Sequence, residues 1–400
     1  MEQFLDQAEI LLRGVVQSHD ISTLVILHRL RDLAGVLDNL KLYDECRMTG
    51  DCALDLAEAL GRRSLEFRHE QAETLSLIAG FSVYQPRART LFIQAVSICE
   101  EVVANNASHS SKCSILFVLC RATYMASAQD RVQWLGFAVQ LMTKGLPPTM
   151  VDPRLHSTIY NNYGTGLHEL KQYANALEAY DEAISHYRGW VINNPVKYNY
   201  NLVEALTNVG VTLSMLGKYG DAIRAYRDAL ELCRAMLAQG ALQYNDLMAK
   251  TLYRYTASLV ELNRYSEAAE MGKVAISLCR IAQAGERVTS SLCSALHNYG
   301  LACYLLGQHA EAVLAFQESI PLRRARAATD PTKEKYLGTA LHNIANSFHA
   351  LNKHSEANAA ATEALEGNHG RVLEACHFAS DFRSCFVCQG ATKSDSTTPQ

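Results

Sequence analysis

The chain has 400 residues, of which 48% are hydrophobic and 20% are charged, as in soluble globular proteins and long repeat arrays. Its formal net charge of -4, with lysine and arginine spread along the whole chain, argues against binding to nucleic acid or to an anionic membrane. Acidic residues near the start and the lack of a long apolar run predict a soluble, cytoplasmic protein whose partners are proteins or peptides.

The amino-terminal part, residues 1–150, carries a degenerate helical pattern. An opening helix is expected near Gln3 to Val16. Two degenerate hairpins are expected further on, one near Ala79 with a short connector around Pro86 and one near Leu119 to Ala122. Between these elements and the opening helix, apolar and small residues at helical spacing predict one clearer hairpin, with Gly50 where an aromatic residue would be expected: Leu30, Ala34, Leu37, Leu40, Tyr43, Cys46 and Ala53.

Five repeats are predicted over residues 151–370, because a small residue recurs there 46, 46, 44 and 45 residues apart. We call this residue the anchor of its repeat: Gly164, Gly210, Thr256, Gly300 and Ala345. Leucine or tyrosine stands four residues before each anchor and leucine six residues after it, which predicts one apolar stripe on a first helix. The earlier set is Tyr160, Leu206, Leu252, Leu296 and Leu341, and the later set is Leu170, Leu216, Leu262, Leu306 and Leu351.

A second stripe follows each anchor and predicts a second helix. Alanine stands twelve residues after the anchor, in Ala176, Ala222, Ala268, Ala312 and Ala357. An aromatic or small residue follows at sixteen, in Tyr180, Tyr226, Gly272, Phe316 and Ala361, and a small one at nineteen, in Ala183, Ala229, Ala275, Ser319 and Ala364. Short connectors containing Gly217 or Gly307 separate the stripes, and glycine can end a helix in the left-handed conformation. Each repeat is therefore predicted to be a helical hairpin.

The repeat resembles the tetratricopeptide repeat, and the positions that match the pattern of that family are Leu206, Gly210, Leu213, Gly217, Tyr219, Ala222, Tyr226 and Ala229. The family's unit has about 34 residues, and each repeat here is about eleven residues longer. This extra length is similar to the long-repeat branch found in kinesin light chains. The resemblance implies an all-α fold, an α-α superhelix that serves to bind other proteins. The repeat spacing along the chain predicts about eight hairpins in it.

The position two residues before each anchor lies on the opposite side of the first helix from the apolar stripe. It reads Asn162, Asn208, Arg254, Asn298 and Asn343. An asparagine amide both donates and accepts, so a series of them could hold the backbone of an extended peptide. Peptide-binding members of the family use asparagines at the matching place. The alternative interpretation is that these amides bond neighbouring helices.

Apolar residues on the same face, Val211, Met215, Leu301 and Leu305, suggest a groove covered either by ligand side chains or by another part of the chain. Charge on this face is sparse and mixed, so the basic clamp with which chaperone-binding relatives hold a terminal carboxylate is not predicted. His297, His342 and His349 lie on or near the face, and we expect them to be solvated or in contact with peptide rather than to bind metal.

A capping helix is predicted within residues 371–388 and a disordered polar tail at 389–400. Cys376, His377, Cys385 and Cys388 give only a weak zinc signal, since their spacing is irregular. No catalytic constellation, cofactor motif or metal site is predicted. The sequence therefore favours a non-catalytic protein-interaction scaffold that binds an extended peptide, its oligomeric state left open. The alternative is a sensor or self-association arm related to nucleotide-dependent signalling switch proteins.

Overall fold

The structure, a computed structural model, describes residues 20–64, 67–105, 107–123, 126–191, 195–281 and 286–366, and the regular elements in these ranges are all helices. The predicted opening helix, capping helix, cysteine-rich segment and polar tail lie outside the described residues. The chain divides into two compact units, Met1–Trp190 (unit 1) and Val191–Gln400 (unit 2). The domain boundary near residue 150 that the sequence suggests stays a prediction.

Unit 1 contains four helical hairpins. Its helices are α1 (Asp20–Asn39), α2 (Tyr43–Arg63), α3 (Arg68–Ile78), α4 (Ala88–Ala104), α5 (His109–Ala122), α6 (Ala128–Lys144), α7 (Pro153–Glu169) and α8 (Tyr173–Val191). Short 3-10 helices at Ser82–Arg87 and Pro148–Met150 lie in two of the connections. The first helices of successive hairpins, α1, α3, α5 and α7, also contact one another.

Unit 2 repeats the same arrangement with four further hairpins. Its helices are α9 (Pro195–Met215), α10 (Tyr219–Ala238), α11 (Tyr244–Glu261), α12 (Tyr265–Ile281), α13 (Glu286–Leu305), α14 (His309–Thr329), α15 (Glu334–Ala350) and α16 (His354–Glu366). A 3-10 helix at Pro331–Lys333 precedes α15. Consecutive helices pack against each other, and α9, α11, α13 and α15 also contact in chain order. The described residues thus confirm an all-α fold of eight hairpins.

The second-helix stripe is confirmed, because all fifteen residues predicted for it are buried. The first-helix stripe is confirmed four residues before the anchor, where the four leucines are buried and Tyr160 is half-buried. Six residues after the anchor the prediction is wrong for most repeats. Leu216 is 39% exposed and Leu306 38% exposed, because this residue falls where the first helix ends and the chain turns outward.

One turn geometry joins the two helices of six hairpins. The residue seven positions after each anchor, and after Ala34 in the first hairpin, has a φ between 57° and 77°: Lys41, Lys171, Gly217, Asn263, Gly307 and Asn352. The next residue donates its N–H back to the first helix, as from Lys218 to the Leu213 carbonyl at 2.9 Å. This left-handed helix ending confirms the role predicted for Gly217 and Gly307 and occurs in the amino-terminal hairpin as well.

Hydroxyl groups bond two neighbouring first helices of unit 2, α9 and α11, to each other. The Thr207 and Thr251 hydroxyls are 2.9 Å apart, and those of Ser214 and Ser258 are 2.8 Å apart. Both pairs join α9 to α11, so the hydrogen bonds hold these two helices in a fixed position relative to each other. Among the described residues, no helix combines the length and the apolarity that crossing a bilayer would require.

Candidate functional site

The five residues predicted from the position before the anchor are all half-buried on first helices, with Asn162 in unit 1 and the others in unit 2. The Asn298 amide on α13 donates from Nδ2 to the Tyr253 carbonyl on α11, at 2.7 Å. This is the bond between neighbouring helices that the sequence analysis kept open as an alternative. One N–H of Asn298 is therefore engaged within the fold, and peptide binding by this residue and by Asn162, Asn208 and Asn343 stays a prediction.

The apolar residues of the same face differ in exposure. Met215 at the end of α9 is 58% exposed, whereas Val211, Leu301 and Leu305 are half-buried. Met215 is thus the one residue of this set that offers a large apolar surface to a ligand.

The sequence predicts that the three histidines are solvated or in contact with peptide. Solvation is wrong for His342 and holds only in part for His297, whereas contact with peptide stays a prediction. His342 is 6% exposed, and His297 is half-buried with its Nδ1 atom inaccessible to solvent, while His349 is exposed. The His297 ring packs against the Phe316 ring on α14, with 5.8 Å between the ring centres. Within the described ranges, no group of three histidine, cysteine or acidic residues is placed to hold a metal ion.

A cavity of about 520 Å³ opens between α11, α13, α14 and α15 in unit 2. Two of the predicted residues, Arg254 and Asn298, lie in its wall. Three further cationic side chains join them, and the described lining includes no carboxylate. The lining consists of Tyr253, Arg254, Ala257, Ser290, Cys293, Ser294, His297, Asn298, Arg323, Arg326, Lys333, Tyr336 and Thr339.

Arg323 is fixed in the wall of this cavity and is only 7% exposed. Its guanidinium donates to the Ser319 hydroxyl at 3.0 Å, to the Tyr336 carbonyl at 3.1 Å and to the Cys293 carbonyl at 3.0 Å. These acceptors are all neutral. Burial and the nearby charge of Arg326 lower the pKa of Arg323, although a guanidinium stays protonated at any physiological pH.

His297 and Arg254 contribute polar atoms that the described residues leave without a hydrogen-bond partner, Nδ1 of His297 and Nε of Arg254. Burial, and secondly the charge of Arg323, lower the pKa of His297 to about 3, so that its imidazole is neutral at pH 7. The Arg254 guanidinium lies 5.5 Å from the centre of the Tyr253 ring. Each of the two side chains thus keeps one buried polar atom without a hydrogen-bond partner among the described residues.

The sequence analysis missed Arg323, Arg326 and Lys333 because it considered only first-helix positions. Arg323 and Arg326 belong to a second helix, and Lys333 belongs to the longer linker that follows it. The sequence did contain a signal for Arg323, which stands 23 residues after the anchor of its repeat and can be compared with the residues at that position in other repeats. The matching residues of two earlier repeats, Cys233 and Cys279, are small and buried, so a charged residue there is unusual.

Comparison with known proteins gives one family match and several structural ones. A family model described as tetratricopeptide repeat matches residues 155–235. The apo form of RapI is 11% identical with a TM-score of 0.55, and the match covers 92% of this chain and 98% of that one. Aspartyl phosphate phosphatase F from Bacillus subtilis is 14% identical with a TM-score of 0.50, covering 90% of this chain and 88% of that one. No curated protein matches the chain in sequence.

Helical hairpins that pack in chain order within each unit define an all-α repeat protein. The family match identifies residues 155–235, more narrowly, as sequence of the tetratricopeptide-repeat type. At identities of 11% and 14% the two solved structures show the fold alone and carry no activity to this chain. The place of the chain in the long-repeat branch stays a prediction.

Proposed function

We propose that the chain is a non-catalytic interaction protein that binds an extended peptide, or an extended segment of a protein partner, on the face formed by its first helices. The resemblance to peptide-binding tetratricopeptide proteins implies that this face is the concave one. The binding residues would be those predicted from the sequence, with Met215 as the exposed apolar contact.

The observation that supports this proposal is the placement of Arg254 and Asn298 in one cavity of about 520 Å³. They were predicted from the same position of successive repeats, and the helices that carry them, α11 and α13, form the cavity together with α14 and α15. Concave sites with a few convergent polar groups are the usual form of a ligand site in proteins.

The test begins with a peptide selected from a random phage-displayed library on the purified chain. Its dissociation constant is measured by fluorescence anisotropy for the parent and for a variant carrying Asn208→Ala and Asn343→Ala. Each lost amide bond to the ligand is worth about 0.5 to 1.5 kcal/mol, so affinity should fall about fivefold to a hundredfold.

A matched control carries Glu231→Ala and Arg234→Ala, two exposed residues of α10, a second helix. The control should bind like the parent, and both variants should keep the helical circular dichroism signal. If the control weakens binding as much as the asparagine variant does, the binding face is misassigned. If no peptide is selected and the chain self-associates in analytical ultracentrifugation, the self-association alternative replaces the peptide-binding function.

A further inference from the structure

A groove on unit 1 combines an apolar lining with an acidic edge. It lies between the second helices α2 and α4, is also lined by α3, and has a volume of about 560 Å³. Ile93 on α4 is 48% exposed there, whereas Leu75 and Ile98 are buried. Asp55 and Glu58 on α2 supply charge, and the described lining includes no lysine, arginine or histidine. The groove therefore offers an apolar surface next to two carboxylates.

Ile93 stands at a position that carries charged side chains in other repeats. The residues 12, 16 and 19 positions after Ala79 are buried, as they are after each anchor, so Ala79 is the anchor of its hairpin and Ile93 follows it by 14 positions. The residues 14 positions after three later anchors are exposed and charged: Glu178, Arg224 and Glu270. Leu314 holds this position in a smaller groove of about 380 Å³, between α12 and α14, that is lined by both cations and carboxylates. An exposed aliphatic side chain in a groove gains free energy when a partner covers it.

Glu58 reverses the charge that its repeat position carries elsewhere. The residue 24 positions after the anchor is an arginine in four later repeats: Arg188, Arg234, Arg280 and Arg324. Two of these bridge neighbouring second helices of unit 2, since Arg280 pairs with Glu318 at 2.7 Å and Arg324 with Glu363 at 2.6 Å. Glu58 follows Ala34 by the same 24 positions, and the place of the paired glutamate on α4 is taken by Ser97. Glu58 pairs instead with Arg62 of its own helix, so at this position the described part of the chain has no ion pair between α2 and α4.

A partner with a cationic side chain would complement this groove. Asp55 is exposed, and the described ranges contain no ion pair for it. The ridge of a third helix fits the groove between two helices, and amphipathic helices bind apolar grooves through side chains three, four and seven residues apart. We infer that the groove docks an amphipathic helix of a protein partner, with an aliphatic or aromatic side chain against Ile93 and a lysine or arginine beside Asp55 and Glu58. The residues assigned to peptide binding lie elsewhere, so this inference does not rest on the proposed function.

The probe is a helical peptide selected from a phage-displayed library of helix-forming sequences that are randomised along one face. The library is panned on the parent chain and depleted on the variant Ile93→Lys, which places a cation in the apolar part of the groove. The enriched sequences should combine large apolar residues with lysine or arginine, and one of them, made synthetically, should bind the parent with one-to-one stoichiometry in isothermal titration calorimetry. Enrichment of acidic sequences, or of none that survives the depletion, would overturn the inference.

The acidic edge is tested with Asp55→Asn and Glu58→Gln combined. Exposed ion pairs are individually weak, so the affinity for the selected peptide should fall about threefold to thirtyfold, and added salt should reduce this difference. The matched control is Asp228→Asn with Glu231→Gln, which removes two exposed carboxylates from α10 in unit 2. The control should stay within about twofold of the parent. Equal weakening by both double variants would mean non-specific charge attraction and would contradict the assignment of the groove.

Leu314→Lys is the control for the apolar contact, because it makes the change of Ile93→Lys at the same repeat position in unit 2, where the parent side chain is 67% exposed. The selected peptide should bind this control like the parent, and all variants should keep the helical circular dichroism signal and the melting temperature of the parent. Asn208→Ala with Asn343→Ala should also leave its affinity unchanged. A loss in either of these two variants would show that the helix binds unit 2 and would refute the docking site on unit 1.

Discussion

The ring of Tyr226 on α10 covers Gly210 on α9 so closely that a Cβ atom on Gly210 would lie 2.5 Å from Tyr226 Cε1. The equivalent pair in unit 1 has the same relationship, with 2.8 Å between a Cβ on Gly164 and Tyr180 Cε1. Real Cβ atoms are not found at such short distances, so the position of the aromatic ring requires a glycine opposite it.

Gly210→Ala should therefore destabilise the protein by about 1 to 3 kcal/mol, because the added methyl group overpacks the contact with a fully buried ring. Urea unfolding followed by circular dichroism measures the change. The control is Gly220→Ala on α10, where nothing lies within 4 Å of the added atom. It should be neutral or stabilising by up to about 1 kcal/mol, from helix propensity alone. Equal effects of the two substitutions would show that Tyr226 can move aside.

The third repeat of residues 151–370 shows how far sequence periodicity could predict this packing. Its anchor is the larger Thr256, and the ring position is Gly272. The period predicted both positions and their burial. It could not predict that Tyr299 of the next repeat would fill the space, with its Cβ 3.0 Å from a Cβ placed on Gly272. The two residues lie on different hairpins, and a pattern within one repeat carries no information about contacts between repeats.

The turn at Lys171 holds a lysine in the left-handed conformation, with a φ of 62°. A residue with a Cβ atom is destabilised in this conformation by about 1 to 2 kcal/mol. Glycine avoids this strain, but it loses more chain entropy on folding, which offsets part of the gain. Lys171→Gly should thus stabilise the protein by about 0.5 to 1 kcal/mol. Thermal melting measures the gain.

The control for this turn is Lys218→Gly, at a residue whose φ is -84° and ordinary for any side chain. There glycine brings only its entropic cost, and a loss of about 0.5 to 1 kcal/mol is expected. A loss at both positions would mean that the Lys171 side chain makes contacts that outweigh the backbone strain.

The candidate site was less predictable than the fold, and Arg323 illustrates the reason. The residues at its repeat position, Tyr187, Cys233 and Cys279, are 2%, 0% and 3% exposed, and the period alone predicts an apolar residue there. The cavity depends on side chains from α11, α13, α14 and the linker before α15 meeting in space. Repeat spacing predicts which face each residue occupies but not which long side chains from different helices converge.

Acid should destabilise unit 1 through His156 on α7. Burial, then the charge of His186 with its ring centre 4.1 Å away, lower the pKa of His156 to about 4, and Glu182 opposes this shift. Between the unfolded value of about 6.5 and the folded value, the unfolded chain binds a proton that the folded chain does not. This contribution to stability is complete above pH 6.5 and is lost as the pH falls toward 4.

The slope from one such group approaches 1.4 kcal/mol per pH unit at its steepest, as a rough upper value. Free energies of unfolding from urea titrations at intervals between pH 7 and pH 4 should therefore fall less steeply for His156→Gln than for the parent. In unit 2, His297→Gln should flatten the profile for the same reason, since the pKa of His297 is lowered to about 3 by burial. Profiles parallel to that of the parent would show that both rings are protonated without cost in the folded state.

Asn298 allows the structural and the binding role of the asparagine series to be separated. Its Nδ2 atom donates to the Tyr253 carbonyl at 2.7 Å and so ties α13 to α11. Asn298→Ala should cost about 0.5 to 1.5 kcal/mol of stability by removing this bond. For Asn343 on α15, the hydrogen bond found among the described residues uses its main-chain carbonyl, which accepts from the Ser347 hydroxyl at 2.8 Å. Asn343→Ala should therefore change stability by less than about 0.5 kcal/mol. Urea unfolding of the two single variants makes the comparison, and equal losses would mean that the whole series is structural.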